Sequence, residues 1–205
     1  MKRYLMVPVI AVILLSIWLT PESAAGGVPT DQIKSTVDKA LVVLKDPRFK
    51  PAAKTNERRE QLRQILFARF DFSEMGKRAL GANWRRRTAK EQDEFVRLFT
   101  DLLERAYADT IESYRDEKIL YVGERLDGGY AEVNSKIFTG RGDEYSLNYR
   151  AHFVGGEWRV YDVVVENISM VNNYRSQFNR VITNASYEEL VRRLKDKMDF
   201  PMPKN

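Results

Sequence analysis

The stretch from residue 118 to residue 165 constrains the fold most, because it contains four strand-like segments separated by short turns. Each segment is rich in aromatic and β-branched residues, a composition that is typical of strands. Glycine, alone or with aspartate, occupies the turns at residues 127–129, 140–143 and 155–156. Connections this short join neighbouring antiparallel strands, so the sequence predicts a four-stranded antiparallel meander. The strands are expected at residues 118–126, 130–139, 145–154 and 158–165.

Helical periodicity lies on both sides of this block of strands. Apolar residues recur at steps of three and four, as in helices that place one face against a core. The longest helix is predicted from Thr88, which forms a capping box with Glu91, to about residue 116. Helices and strands in separate blocks indicate an α+β fold, with the sheet packed against helices and an apolar cavity between them. The expected parts are helices at 30–116, the sheet at 118–165 and C-terminal helices at 169–198.

Residues 1–25 have the pattern of a cleaved secretory signal peptide. Lys2 and Arg3 precede an apolar run, and small residues at 23–25 match the signal peptidase pattern. The run is shorter than the about twenty residues that a membrane-spanning helix needs, and an uncleaved N-terminal anchor is the alternative. Residues 26–205 are predicted to form a single secreted domain. The chain contains no cysteine, so this domain must be stable without disulfides.

The chain lacks the motifs of common nucleotide-binding and hydrolytic sites. It contains no GxxxxGK(S/T) loop, no GxGxxG turn after a strand and no GxSxG elbow. A single histidine, His152, and no cysteine argue against a zinc site. The formal net charge of +5 is too mild to indicate a nucleic-acid partner. The sequence therefore predicts no cofactor, no metal and no nucleic acid.

Asp162 is the main candidate for a catalytic base in an enzymatic interpretation. It lies in the middle of the last predicted strand, where burial raises the pKa of a carboxyl group. Arg150 and Arg159 are expected neighbours, and an ion pair is the simpler interpretation of this carboxylate. His152 alternates with apolar residues on the polar side of its strand and is predicted to be a surface residue.

The segment 158–178 carries more apolar residues than a half-buried strand and one amphipathic helix need. Its three consecutive valines, at 163–165, point alternately to both faces of the sheet. Ordinary core packing and the wall of a ligand cavity both fit this surplus. The bend at residues 166–167 is predicted to direct the flanking apolar residues toward one space. These residues are Val163, Val165, Ile168, Val171 and Tyr174.

Two longer patterns also stand out. One is FDFSEMGKRALGANWR at residues 70–85 with TAKEQDEF at 88–95, and the other is NYR at 148–150 with WRVYDVVVENISMVNNYRSQF at 158–178. Together they resemble the MlaC / toluene-tolerance family of periplasmic phospholipid-binding proteins, over about residues 30–197. One departure is Asn167, which stands where a glycine is expected; asparagine tolerates the left-handed conformation, so the turn is expected to survive.

The resemblance implies a soluble periplasmic carrier, without catalytic residues, that holds acyl chains in an apolar cavity. It further implies two partners, an outer-membrane lipoprotein/porin complex and the mammalian-cell-entry domain protein of an inner-membrane ABC transporter. Shuttling between them would maintain outer-membrane lipid asymmetry. A hopanoid or other sterol-like lipid is the alternative ligand. An NTF2-like pocket enzyme, an acid–base isomerase or hydratase with Asp162 or His152 as base, is the alternative from another class.

The lipid-binding residues are predicted from helical and strand faces that converge on the space between sheet and helices. They are Met75, Leu80, Leu98, Leu102, Val133, Leu147, Tyr149, Val163, Val165, Ile168, Val171 and Tyr174.

Overall fold

Four α-helices precede the sheet in a computed structural model that describes residues 28–114, 116–198 and Phe200. The predicted signal peptide at residues 1–25 lies outside these described residues. Short 3₁₀ turns at Pro47–Phe49, Ala52–Lys54 and Gly81–Arg86 connect the helices. The helices are α1 (Pro29–Lys45), α2 (Thr55–Phe67), α3 (Phe72–Leu80) and α4 (Ala89–Glu112).

The longest helix, α4, begins at the predicted capping box. The Thr88 hydroxyl accepts from the Glu91 amide at 3.3 Å, and the Glu91 carboxylate accepts from the Thr88 amide at 2.7 Å. The helix ends at Glu112, before the predicted end at residue 116. At this end the Ser113 hydroxyl donates to the Thr110 carbonyl at 2.7 Å, which satisfies one of the last carbonyl groups of the helix.

The sheet is an antiparallel meander with the strands in chain order. The strands begin and end close to the predicted positions. The turns between them contain glycines with positive φ, at residues 128, 142, 155 and 156. The prediction of four strands was wrong, since the described residues form five. The strands are β1 (Lys118–Asp127), β2 (Tyr130–Phe138), β3 (Glu144–Val154), β4 (Glu157–Val165) and β5 (Ile168–Ser169).

The fifth strand exists because of the turn at Glu166 and Asn167. Both residues have positive φ, 47° and 64°, which is the combination of a two-residue type I′ turn. Such a turn folds the chain back antiparallel, so Ile168 pairs with Val165 and Ser169 with Val164. The sequence analysis predicted a bend at this point but no strand pairing after it.

Residues 69–71 cover the other half of the β4 edge. The Val160 amide donates to the Arg69 carbonyl at 2.9 Å, and the Asp71 amide donates to the Val160 carbonyl at 2.8 Å. The chain must be extended to make these bonds, so α2 ends at Phe67. The edge of β4 is thereby paired along much of its length.

Strand register separates two faces of the sheet. The core face carries, in opposed positions, Val133, Tyr149 and Val163, whereas the opposite face carries Arg150 and Asp162. A β-bulge between the Arg150–Asp162 and Ala151–Val160 pairs places Tyr161 outside the regular alternation. Because of this bulge, Val160 and Val163 both belong to the buried cluster on the core face.

Two helices follow the sheet and complete the core. They are α5 (Met170–Asn184) and α6 (Tyr187–Lys195), and the hydroxyls of Ser169 and Ser186 cap them. Four aromatic rings of α4 and α5 pack together at the centre, with Phe99 5.4 Å from Tyr174 and 5.6 Å from Phe178 between ring centroids. Phe95 stands perpendicular to Phe178, with centroids 5.7 Å apart.

Candidate functional site

The predicted lipid-binding residues lie almost entirely in one place. Met75, Leu80, Leu102, Val133, Tyr149, Val163, Val171 and Tyr174 belong to the buried cluster between the core face and the helices, and Leu98, Leu147 and Val165 pack against it. Ile168 is half-buried and lies outside that cluster. The arrangement is an apolar layer to which the sheet, α3, α4 and α5 all contribute.

The bend after β4 brings most of its flanking residues to this layer. Val163 and Val165 reach it from the sheet, and Val171 and Tyr174 reach it from the first turns of α5. The predicted convergence therefore holds for these four residues and not for Ile168, which instead pairs with Val165 across the turn.

Tyrosine hydroxyls are among the polar groups inside this apolar layer. Tyr121 and Tyr149 contribute one pair from the core face of the sheet, and burial raises the pKa of Tyr121 to about 12. Burial also raises the pKa of Tyr149, with the neighbouring Tyr121 and Tyr145 phenols adding to the effect. Both phenols are therefore neutral near pH 7 and can donate hydrogen bonds.

A second pair of tyrosines belongs to the helices. Burial raises the pKa of Tyr107 on α4, and its hydroxyl faces that of Tyr174 on α5. The ring of Tyr174 is fully buried against Phe99. The two helices thus meet through a polar contact inside an otherwise apolar region.

The opposite face carries a row of alternating charges across four strands. Arg125 opposes Glu132, Glu132 opposes Arg150, and Arg150 opposes Asp162. Arg150 lies 3.2 Å from the Glu132 carboxylate and 3.3 Å from that of Asp162, which confirms the predicted ion pair. Arg159, the other predicted neighbour, pairs with Glu157 at 3.3 Å.

Asp162 holds the start of α5 in place. Its carboxylate accepts from the Ser169 hydroxyl at 2.6 Å and from the Val171 amide at 3.0 Å, in addition to Arg150. With 3% of its surface exposed, the carboxylate is a buried helix anchor whose oxygens all have donors. This geometry is that of a structural group.

The single histidine, His152, also contacts a carboxylate. His152 Nε2 lies 2.9 Å from the carboxylate of Asp71, which at the same time caps α3 through the Glu74 amide. His152 was predicted to be a surface residue, but its side chain is half-buried, 18% exposed, and stacks on Tyr130. The contact connects α3 to the opposite face of the sheet.

Two clefts flank the apolar layer. A polar cleft of about 500 Å³ lies on the opposite face, where arginines 78, 125, 150 and 175 meet Glu132 and Asp162. A more apolar groove of about 330 Å³ lies between α2 and α4, lined by Leu62, Leu66 and Ile111. Ion pairs bridge this groove, from Arg63 to Glu104 and from Arg59 to Glu112.

Within the described parts of the chain, histidine, aspartate and glutamate form no group of three or more that could hold a metal ion. In the same parts, no helix combines the length and apolar character needed to cross a membrane.

A model of the MlaC protein family matches residues 34–196. This chain belongs to the MlaC family. The match spans α1 to α6 and therefore includes the sheet, the apolar layer and the charged row.

Two relatives of this MlaC-family chain carry descriptive names. The intermembrane phospholipid transport system binding protein MlaC of Haemophilus influenzae is 21% identical over 199 residues, which is 95% of this chain and 93% of the relative. The toluene tolerance protein ttg2D of Pseudomonas putida is 26% identical over 158 residues, which is 76% of this chain and 74% of the relative.

A solved structure has the same fold. It is the phospholipid-binding protein from Ralstonia solanacearum in complex with a phospholipid, which is 26% identical and superposes with a TM-score of 0.72. The similarity covers 82% of this MlaC-family chain and 96% of the Ralstonia chain.

Sequence reasoning named Tyr149 and Tyr174 as lipid-binding residues but missed the tyrosines beside them, Tyr121 and Tyr107. Tyr121 and Tyr107 follow the apolar periodicity of their elements, and a phenylalanine at either position gives the same pattern. By contrast, the turn at Asn167 was anticipated, since its φ of 64° is the left-handed conformation that asparagine tolerates.

Proposed function

We propose that this MlaC-family chain is a periplasmic phospholipid carrier. In this proposal residues 1–25 direct secretion and residues 26–205 form a single lipid-binding domain. The carrier moves phospholipid between an outer-membrane lipoprotein/porin complex and the mammalian-cell-entry domain protein of an inner-membrane ABC transporter. Its cellular role is to maintain the lipid asymmetry of the outer membrane.

The phospholipid bound to the Ralstonia relative is the observation that carries the proposal. The two folds correspond over 82% of this chain, so we expect a phospholipid to bind this chain in the same part of the fold. The apolar layer between the core face and α3, α4 and α5 supplies the surface that acyl chains require. Residues such as Val133 and Val163 are the proposed lipid contacts on the sheet.

The energetics of the ligand explain why a carrier is needed. Burial of each CH₂ group contributes about 0.8 kcal/mol, so two acyl chains contribute more than ~20 kcal/mol against water. A phospholipid therefore does not cross an aqueous compartment unaided. The carrier also has to release its lipid, so the apolar layer must resemble a bilayer interior and not exceed it greatly in affinity.

Partner proteins must supply the direction of transport in this proposal. The sequence has no nucleotide-binding motif with which the chain could drive transfer itself. The name of the Haemophilus relative, a binding protein of an intermembrane phospholipid transport system, supports a place between two membrane complexes.

The proposed role involves no chemical reaction. The two candidate bases of the enzymatic alternative, Asp162 and His152, both lie on the opposite face of the sheet and are bound to structural partners. We expect His152→Gln to leave lipid transfer between vesicles unchanged. Loss of transfer in a folded His152→Gln protein would favour the enzymatic alternative.

Native mass spectrometry of protein purified from the periplasm tests the proposal directly. The expected result is a folded protein with the added mass of a phospholipid, identified after extraction. A hopanoid or sterol-like lipid in its place would contradict the proposed ligand, and a folded protein without any lipid would contradict the carrier role.

A matched pair of substitutions tests where the lipid lies. Val165→Trp adds bulk to the apolar layer, whereas Val122→Trp adds the same bulk on the exposed edge of β1, where Val122 is 55% exposed. We expect less bound lipid in Val165→Trp and an unchanged amount in Val122→Trp, with circular dichroism confirming that both proteins are folded. Equal lipid content in the two variants would place the ligand elsewhere.

A further inference from the structure

The hydroxyls of Tyr121 and Tyr149, here called the sheet hydroxyl pair, are not explained by packing. The Tyr121 hydroxyl is buried and has no hydrogen-bond partner among the described residues. The electrostatic neighbours of the Tyr149 phenol are those of Tyr121 and Tyr145. A buried hydroxyl without a partner destabilises a fold, and phenylalanine would fill the same volume without that cost.

The pair lies on the core face among the predicted lipid contacts. Tyr149 stands between Val133 and Val163 in the strand register, and Tyr121 opposes Ser135. The Ser135 hydroxyl already donates to the Leu147 carbonyl and is therefore satisfied. The hydroxyls of Tyr121 and Tyr149 therefore remain as polar groups that a ligand on this part of the sheet can contact.

The position of the pair matches the point where a lipid changes from apolar to polar. Tyr121 belongs to the edge strand β1 and is half-buried, next to Val122, which is largely exposed. Tyr149 lies two strands further in, with 7% of its surface exposed. One hydroxyl of the pair therefore lies near the edge of the sheet and the other lies further inside the apolar layer.

The chemistry of the pair selects the kind of group it binds. Burial raises the pKa of both phenols, so at neutral pH they are uncharged donors. A buried uncharged donor suits an uncharged acceptor, since a carboxylate or phosphate would lose its hydration there. In a glycerophospholipid the acceptors beside the acyl chains are the ester carbonyls.

We propose that Tyr121 and Tyr149 donate hydrogen bonds to the acyl-ester carbonyls of a bound glycerolipid and make the site selective for ester-linked over ether-linked lipid. The inference rests on the proposed carrier function and adds a specificity determinant to it. The alkyl chains fill the apolar layer, and the glycerol backbone lies at its β1 edge.

A competition between two lipids that differ in those carbonyls alone tests the inference. The probes are dipalmitoyl phosphatidylglycerol and its dihexadecyl ether analogue, mixed equally in vesicles and offered to delipidated protein. Native mass spectrometry gives the ratio of the two lipids bound. Palmitic acid, as a third probe, separates an ester carbonyl from a free carboxyl group as the source of the acceptor.

The expected outcome is a preference for the ester lipid that depends on the hydroxyls. Tyr121→Phe and Tyr149→Phe are each expected to lower the ester-to-ether ratio about five-fold, the effect of one net hydrogen bond, with ether-lipid binding unchanged. Tyr161→Phe is the matched control, because it removes a phenol hydroxyl outside the core face and should leave the ratio unchanged.

Stability of the delipidated protein gives an independent readout. Because the Tyr121 hydroxyl lacks a partner among the described residues, Tyr121→Phe should unfold at the same or a higher temperature than the parent chain. A variant that is no less stable and yet loses ester preference identifies a ligand contact and excludes a merely structural role.

Several outcomes would overturn the inference. They are an ester-to-ether ratio of one in the parent chain, an unchanged ratio in both Phe variants, and stronger binding of palmitic acid than of either phospholipid. Failure of the proposed function looks different, because the parent chain would then bind neither phospholipid.

Discussion

Asp162 fixes the start of α5 to the middle of the sheet, and Asp162→Asn tests how much stability depends on this contact. The carboxylate accepts from Ser169 at 2.6 Å and from Val171 at 3.0 Å, and pairs with Arg150 at 3.3 Å. Hydrogen bonds to charged groups contribute about 1.5–3 kcal/mol each. Asparagine keeps one carbonyl acceptor, but its amide nitrogen faces donors. We expect a loss of about 3 kcal/mol, at the lower end for a broken buried pair because Arg150 is partly exposed.

Urea unfolding followed by tryptophan fluorescence measures this loss. Trp158 lies on β4, the strand of Asp162, and reports on the region directly. With an m-value of about 2 kcal/mol per molar urea, a loss of this size lowers the unfolding midpoint by about 1.5 M. Asp127→Asn is the matched control, because Asp127 is an exposed β1 residue that forms no ion pair within the described parts of the chain.

The reasoning is refuted if Asp162→Asn and Asp127→Asn have the same midpoint. The control itself should stay within about 0.5 kcal/mol of the parent chain, as exposed substitutions usually do. Lipid content adds a second criterion. Asp162→Asn protein that is still folded in dilute buffer should still carry lipid, since the carboxylate lies on the face of the sheet opposite the apolar layer.

Two further predictions concern local structure. Asn167→Gly should leave the melting temperature unchanged or raise it, whereas Asn167→Val should cost about 1–2 kcal/mol, because a β-branched residue is strained at a φ of 64°; equal melting temperatures would contradict the type I′ turn. Hydrogen bonds from Arg192 and then Arg193 lower the pKa of Glu189 in α6 to about 2. Because the pKa of Glu189 is lower in the folded than in the unfolded protein, the contact stabilises the fold at pH values above about 4.5, and this stabilisation is lost as the pH falls toward 2. An NMR titration of Glu189 with a midpoint near 4.5 would contradict the contact.

Strand alternation and short turns explain why the sheet could be predicted. A period of two is enough to place residues 145, 147, 149, 151 and 153 on one face of β3, and residues 149 and 151 are buried there. The glycine turns leave each strand no neighbour other than the next, so strand order follows from connection length.

The features that sequence reasoning missed depend on contacts between distant parts of the chain. The extended residues 69–71 form hydrogen bonds with the backbone of Val160, about ninety positions away in the sequence, and no local pattern near Phe67 predicts these bonds. The strand β5 is a different case, because the Glu166–Asn167 turn was recognised but not its consequence. Two left-handed residues in succession imply a hairpin, whereas a single one fits a simple bend.

The candidate site shows a further limit of pattern reasoning. Periodicity identifies which residues are buried, and Val133 and Tyr174 are indeed fully buried. It does not distinguish a side chain that contacts protein from one that contacts a ligand, because both avoid water equally. To distinguish them, one needs a polar group that has a hydrogen-bond partner when the ligand is bound and none in a solid protein core. The Tyr121 hydroxyl is such a group: in a solid core it is a net cost, and beside an ester carbonyl it stabilises the complex. A position where phenylalanine would make the empty fold more stable is therefore better evidence for a ligand than any number of buried valines.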